Sequence, residues 1–436
     1  MKLKKLTSLF LTGLLSISLL AGCNSSTNTT DSNDSTTDTN PTVVDIFQFK
    51  VEFKDQFEAL AKEYEKEHEG VKINITTVGG GDDYGAALRS KFASGNEPAI
   101  FNVGGPQDVK DWQSKLTDLS DTNASTAALP GTLKSVTRDG KVLGLPFNQE
   151  GYGFIYNKSV FEKAGIDPKS LDSYAKFEEA VKTLDSKKEE LGLKSVFAFA
   201  GKETWVTGLH LSNLFISPEF DEDINKTFEA KTLEFKHDKA MKKIVDLQNK
   251  YSVQPTISLD YSQQVEELFS MGKVAMIKQG NWVYGSIADI DTEFANNNIG
   301  IIPVPVDGYK SDSIAVGIPM YWAVNNTKDE AVIKASKDFI DWMYTSETGK
   351  EYVLTKFKFI PAYDGYDTSK LSDPLSKEIY EYTSNGKTIG WVFMGYPSGW
   401  GMNNLGANLQ KYLGGNASWE EVIDTAKKAW AEERAE

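Results

Sequence analysis

The chain has 436 residues, 40% hydrophobic and 25% charged, which excludes a fibrous or wholly disordered protein and exceeds one ordinary core, so two domains are expected. A net charge of −15 repels nucleic acid and anionic lipid and disfavours phosphate or sulfate as a ligand. A single cysteine rules out an internal disulfide, while 11% aromatic residues, nine of them Trp, suit a site built from ring faces.

Lys2, Lys4 and Lys5 precede an apolar run from Leu6 to Leu20, the layout of a secretory signal. The run is shorter than the ~20 residues of a membrane span. Leu20-Ala21-Gly22-Cys23 resembles a bacterial lipobox, which implies cleavage before Cys23 and lipidation of its thiol. The alternative is an uncleaved anchor. Residues 1–22 are read as signal peptide and 23–42 as a lipidated tether. Asn24 to Thr42 is almost all Ser, Thr, Asn and Asp, cannot bury apolar area, and is predicted to be disordered. Such a tether reaches about 25 Å. Losing the three signal lysines and no acid takes the net charge from −15 to −18.

Beyond the tether, Val44 to Phe49 reads as a strand. Phe53, Phe57, Leu60, Ala61 and Tyr64 follow helical spacing, and Gly70 ends that helix. Val71, Ile73, Ile75 and Thr77 alternate as a second strand. Gly79-Gly80-Gly81-Asp82-Asp83 is a turn into a helix starting near Tyr84. Ile100 to Val103 is the next strand, with Gly104-Gly105-Pro106 as the loop at its carboxyl end. Alternating strands and helices predict an open α/β sheet. Ligands of such sheets bind beyond the carboxyl ends of the strands, where both glycine-rich loops fall.

Four segments then occur in order: Phe57 to Val71, Phe92 to Val103, Gly140 to Lys158 (GKVLGLPFNQEGYGFIYNK) and Gly272 to Trp282 (GKVAMIKQGNW). Their order and spacing resemble the extracellular solute-binding proteins of carbohydrate ABC transporters, the maltose-binding-protein-like group. Ala99 departs from the family's usual Asp after the proline. The resemblance implies an α/β fold of two lobes, joined by a hinge, that close over a ligand cleft. It places 43–150 with 298–345 in the N-terminal lobe, and 151–297 with 346–436 in the C-terminal lobe. Crossings are expected near Glu150–Tyr156, Asn297–Ile299 and Thr345–Gly349. It further implies a monomer that captures a carbohydrate, an oligosaccharide above all. Delivery to ABC permease subunits, anchorage by lipid on Cys23, and no cofactor or metal follow from it too.

A pyranose offers an apolar face, which packs on an aromatic ring, and a rim of hydroxyls, which pairs with planar polar groups. Candidate platforms are therefore aromatic residues on irregular segments. Trp282 follows Gly280-Asn281 after an apolar run, Trp400 lies in a Gly-rich loop, Trp205 follows Gly201-Lys202-Glu203-Thr204, and Tyr321 follows Pro319-Met320. Asn281, next to Trp282, is taken as a polar contact. If Tyr321 faces the cleft, Trp322 faces the core. Trp391 is open between cleft and core. Asp83 serves equally as helix cap or ligand contact, and Asp82 takes either task. The resemblance makes Glu150 a hydroxyl acceptor, against a hinge salt bridge. Gly104 and Gln107 fall at a polar ligand position, and His210 lies near Trp205. Trp419, Val422, Ile423, Ala426 and Trp430 keep helical spacing and read as core.

The catalytic signatures sought are absent. No Ser has Gly two before and two after it, and H-E-x-x-H and C-x-x-C do not occur. Gly386-Lys387-Thr388 has Glu381 where a phosphate loop has Gly. Asp221-x-Asp223-x-Asn225 has Lys226 where a calcium loop has Gly. A secreted lipoprotein glycosidase, whose two carboxylates counting alone does not exclude, and a binding protein for a non-sugar solute are the alternatives.

Overall fold

Two β-sheets, each with its own core, organise the chain in the computed structural model, which describes residues 40–79 and 83–435. Cys23, the signal and Asp82 lie outside the described residues. The first sheet runs Val71–Thr77, Thr42–Gln48, Ile100–Val103, Tyr321–Val324, Leu145–Pro146. Its first three strands are parallel and Tyr321–Val324 is antiparallel to its neighbours. The helix Lys54–Glu67 buries Phe57, Leu60, Ala61 and Tyr64, the stripe its spacing predicts. Gly70, at φ +83°, lets the chain turn back into the next strand.

The second sheet runs Thr388–Gly390, Ile314–Gly317, Glu150–Asn157, Val274–Gly280, Ser195–Phe197, with Ile299–Ile302 also paired to Glu150–Asn157. All eight residues of Glu150–Asn157 are buried, as expected of a strand covered on both faces. The helix Trp419–Glu433 buries the predicted stripe and starts with a capping box between Ser418 and Glu421.

The chain leaves the first sheet after Leu145–Pro146 and enters the second at Glu150. The later crossings fall elsewhere than expected. Ile299–Ile302 remains in the second sheet, antiparallel to Phe154–Asn157, and Val304 and Val306 join the same core. The return to the first sheet comes between Gly317 and Tyr321. Likewise Val353, Phe357, Phe359 and Tyr363 still pack in the first core, Phe357 against Phe53 and Phe57, while Ile360 between them reaches the second core, which continues from Leu375. Hence 299–317 and 346–363 belong to the lobe opposite to the one predicted. A buried apolar strand has the same composition in either sheet, so only pairing separates them.

Candidate functional site

Between the two sheets lies a cavity of about 340 Å³, within the usual range for small-ligand sites. Its first-lobe wall is Phe49 to Glu52, just past the strand Thr42–Gln48, with Asp83, Tyr84 and Asp108. Its second-lobe wall is Trp205, Leu209, His210, Trp282, Trp391, Phe393, Met394 and Met402, with Glu150 beside the crossing and Met320 at another.

Trp282 is held by backbone and side chain together. Gly280 has no Cβ, and one built there would stand 2.1 Å from the indole Cζ3 and 2.4 Å from Gly151 O, so glycine is required. The indole Nε1 donates to Gln279 Oε1 (3.0 Å), Gln279 Nε2 to Gln264 Oε1 (2.6 Å), and Gln264 Nε2 to Ala198 O (2.7 Å). This relay satisfies three buried side chains and fixes the plane of the ring. Trp205 is pinned by its Nε1 donating to Glu203 Oε2 (3.1 Å), while Glu203 Oε1 accepts from Tyr261 N.

His210 stands at the centre of these rings. It stacks on Tyr152 at 4.6 Å and 8°, and lies 5.1 to 5.6 Å from Trp205, Trp282, Trp391 and Phe393. Burial, then the nearby Lys278 ammonium, pushes its pKa well below 6.5, so the imidazole is neutral with one donor and one acceptor nitrogen. Lys278 lies behind Tyr152, its Nζ 5.2 Å from that ring's centroid, and burial lowers its pKa to about 7.

Glu150 pairs with Lys50, one group from each side of the first crossing, and both are buried. Burial works against the Lys50 charge, but Glu150 and Glu52 outweigh it and hold the ammonium above its ordinary pKa. Burial raises the carboxyl of Asp108 to about 6, although it accepts from Gly104 N at 2.7 Å. Among the described lining residues, Glu52, Asp83, Asp108 and Glu150 face a single cationic side chain, Lys50. Such a wall accepts hydroxyl protons and repels anions.

Of the predicted positions, Asp83, Glu150, Trp205, His210 and Trp282 line this cavity; Asp83 also caps its helix, accepting from Ala86 N at 2.9 Å. Trp391, left open, lines it too. Five others do not line it. Trp400 is 0% exposed, donates to Ala426 O at 2.8 Å and packs edge-on against Trp430, so it is core. Tyr321 accepts from Ser135 Oγ and donates to Thr132 O, which occupies its hydroxyl; Trp322 does face the opposite core. Gly104 and Tyr321 line a separate groove beyond Trp391 and Met394. Gln107 donates to Asp111 and accepts from Arg434, leaving no polar atom for a ligand. Asn281 accepts from Gly151 N and donates to Ser376 Oγ, so it braces the crossing strands.

Sequence reasoning missed Phe49, Lys50, Tyr84, Asp108, Phe393 and the three methionines. The strand-end rule that selected the glycine-rich loops also points at Phe49-Lys50, past Gln48. The methionines carry no comparable signal, since Met fills irregular gaps anywhere.

Similarity to known proteins agrees with this architecture. The melibiose/raffinose/stachyose-binding protein of Bacillus subtilis (strain 168) is 26% identical over 68% of each chain. An uncharacterized ABC transporter extracellular-binding protein of Pyrococcus horikoshii is 28% identical over 72% of this chain and 73% of its own. The fold of a chitin oligosaccharide binding protein superposes with a TM-score of 0.75 at 24% identity, covering 91% of this chain and all of the other. Residues 50–350 match the sequence profile of the bacterial extracellular solute-binding proteins, and the chain belongs to that family.

Proposed function

We propose that this protein captures a neutral oligosaccharide between its lobes and hands it to the permease of an ABC importer. The aromatic cavity carries the reading: Trp205, Trp282 and Trp391 surround a neutral His210 and face carboxylates from the opposite lobe. Ring faces take the apolar side of a pyranose and carboxylates accept from its hydroxyls. The acid surplus speaks against phosphorylated solutes. Relatives that bind raffinose, stachyose and chitin oligosaccharides support the class.

Capture proceeds without turnover in this reading, as a monomer, and the protein stays at the outer face of the membrane through lipid on Cys23. Among the described residues no helix is long and apolar enough to cross a membrane. A thermal-shift screen tests the ligand class. A ligand confined to the native state stabilises it by about 2.7 kcal/mol at a hundredfold excess over Kd. Raffinose, stachyose or a chitin oligosaccharide should raise the melting temperature, and phosphate and short peptides should not. A shift with a peptide and with no sugar overturns the assignment.

A further inference from the structure

Met394 belongs to the second lobe, in the short turn Phe393–Gly395, yet its side chain rests on the first lobe at Gly104 and Gly105. A Cβ built at Gly104 would stand 2.7 Å from Met394 Sδ. One built at Gly105 would stand 3.0 Å from Met394 Cβ and 3.3 Å from its carbonyl oxygen. The two glycines let a thioether lie against bare backbone where the lobes meet. Asp108 Oδ2, which accepts from Gly104 N at 2.7 Å, lies 3.1 Å from the same Gly104 point. Met394 is only half-buried and lines both the main cavity and the groove beyond it, so a small solute reaches it from either space. Of the eight methionines, Met241, Met276 and Met343 are core, whereas Met271 is 56% exposed on a turn. Met320 and Met402 line the cavity with Met394.

We propose that Met394 is an oxidation site through which a peroxide loosens the closed form and lowers ligand affinity. Hydrogen peroxide delivers one oxygen to Sδ. An S–O bond forms, the O–O bond breaks, and the departing hydroxide takes the proton left on the transferred oxygen and becomes water. The thioether loses two electrons and the peroxide gains them. The product is larger and polar, and its oxygen only accepts hydrogen bonds. In the closed form that oxygen is pressed against Gly104, beside a second acceptor, Asp108 Oδ2, and Gly104 N is already engaged by Asp108. A polar group held without a partner destabilises the contact, and hinge opening hands it to water. The carbohydrate reading enters only through the choice of ligand; the change of shape is read without one.

The test treats the full chain with hydrogen peroxide and locates the added oxygen by peptide mass spectrometry. Small-angle scattering is measured without ligand, and calorimetric titration with raffinose and stachyose. Oxidation at Met394 should enlarge the radius of gyration and weaken sugar binding about tenfold or more. Two methionine sulfoxide reductases, one for each sulfoxide epimer, with a dithiol as reductant should restore both. Met394→Leu keeps apolar bulk without the sulfur, so both quantities should be equal before and after peroxide, whatever the variant's starting affinity. Met320→Leu and Met402→Leu should stay sensitive, and Met271→Leu, altered on the surface, should behave as wild type. An equal change in Met394→Leu overturns the proposal. So does a Met394 that resists peroxide, or one that is oxidised while radius and affinity stay the same. If Met394→Leu does not fold, the wild-type time course decides: the change must follow sulfoxide at Met394 and not at Met271, Met320 or Met402. If neither sugar binds wild type, the carbohydrate reading falls and the radius alone judges the oxidation site.

Discussion

Arg434 Nη1 donates to Gln107 Oε1 at 2.7 Å, tying the residue after the last helix to a helix of the first lobe. The same guanidinium donates through Nη2 to Gly395 O (2.5 Å) and lies over the rings of Phe228 and Trp430. It is 8% exposed. Gly395 follows Phe393 and Met394, which line the cavity, and Met394 abuts the Gly104-Gly105 turn before Gln107. Arg434 therefore braces a contact that exists only while the lobes are together, on elements distinct from the Lys50–Glu150 pair.

Arg434→Ala should accordingly shift the protein towards an open form. A hydrogen bond to a charged group contributes about 1.5–3 kcal/mol, so ligand affinity should fall about tenfold or more, although Arg434 does not line the cavity. Small-angle scattering on unliganded protein should show a larger radius of gyration than wild type. An unchanged radius with unchanged affinity would show that the bond is incidental to closure.

The tryptophans separate site from core. Trp282→Ala should cost about 1–3 kcal/mol of sugar binding, by analogy with stacking on planar ligands, which is about tenfold or more in Kd. Its loss of unliganded stability should stay below that of a core tryptophan, because the indole borders the cavity, but the substitution leaves the buried Gln279 Oε1 unpaired, which costs about 1–3 kcal/mol. Trp400→Ala and Trp430→Ala should instead cost about 3–5 kcal/mol of stability, since each leaves a core void, and should spare affinity. Titration and denaturant melts on the three variants decide it; a Trp400→Ala protein that melts like wild type but no longer binds sugar would return Trp400 to the site.

These cases show what the sequence carries. Local periodicity identified the helices Lys54–Glu67 and Trp419–Glu433, because an amphipathic stripe is written in consecutive residues. Glycine-rich neighbours led to Trp205 and Trp282, which line the cavity, although the structure puts Trp205 at the start of a helical stretch and Trp282 in a 3-10 turn. The same cue misplaced Trp400, whose Gly-rich neighbourhood looked like a binding loop; glycine there serves close packing. A Cβ at Gly401 would stand 2.3 Å from Leu209 Cδ2, and one at Gly406 2.7 Å from Thr204 O. The lobe bounds implied by the family resemblance, not periodicity, put 299–317 and 346–363 in the other lobe. Which sheet a strand joins, and which polar atoms Arg434 takes from Gln107, are settled by residues hundreds of positions apart.

Anchorage is tested at Cys23. In the lipoprotein reading Cys23→Ser removes the acceptor thiol, so the precursor should remain uncleaved before residue 23 and take up no labelled fatty acid. Equal label in both proteins would remove the lipoprotein reading and leave the ligand assignment untouched.

Lys278 makes stability depend on pH in a direction opposite to that of a paired lysine. It is 2% exposed, burial lowers its folded pKa to about 7, and the unfolded value is 10.5. Between those values the unfolded chain holds a proton that the folded chain has lost, so stability rises with pH from about 7 towards 10. Below pH 7 both states are protonated and the full cost of the buried charge is present. At ~1.4 kcal/mol per pKa unit that cost is a few kcal/mol. Lys278→Met keeps the stem and deletes the charge, so it should stabilise the protein by a comparable amount at pH 7. It should also flatten the slope between pH 7 and pH 9. His210 stays neutral in the variant, because burial, the larger cause of its low pKa, is unchanged. Denaturant melts of both proteins at pH 6, 7, 8 and 9 measure the effect. Parallel curves across that range would mean that Lys278 stays protonated in the folded protein, held by groups other than the Tyr152 ring.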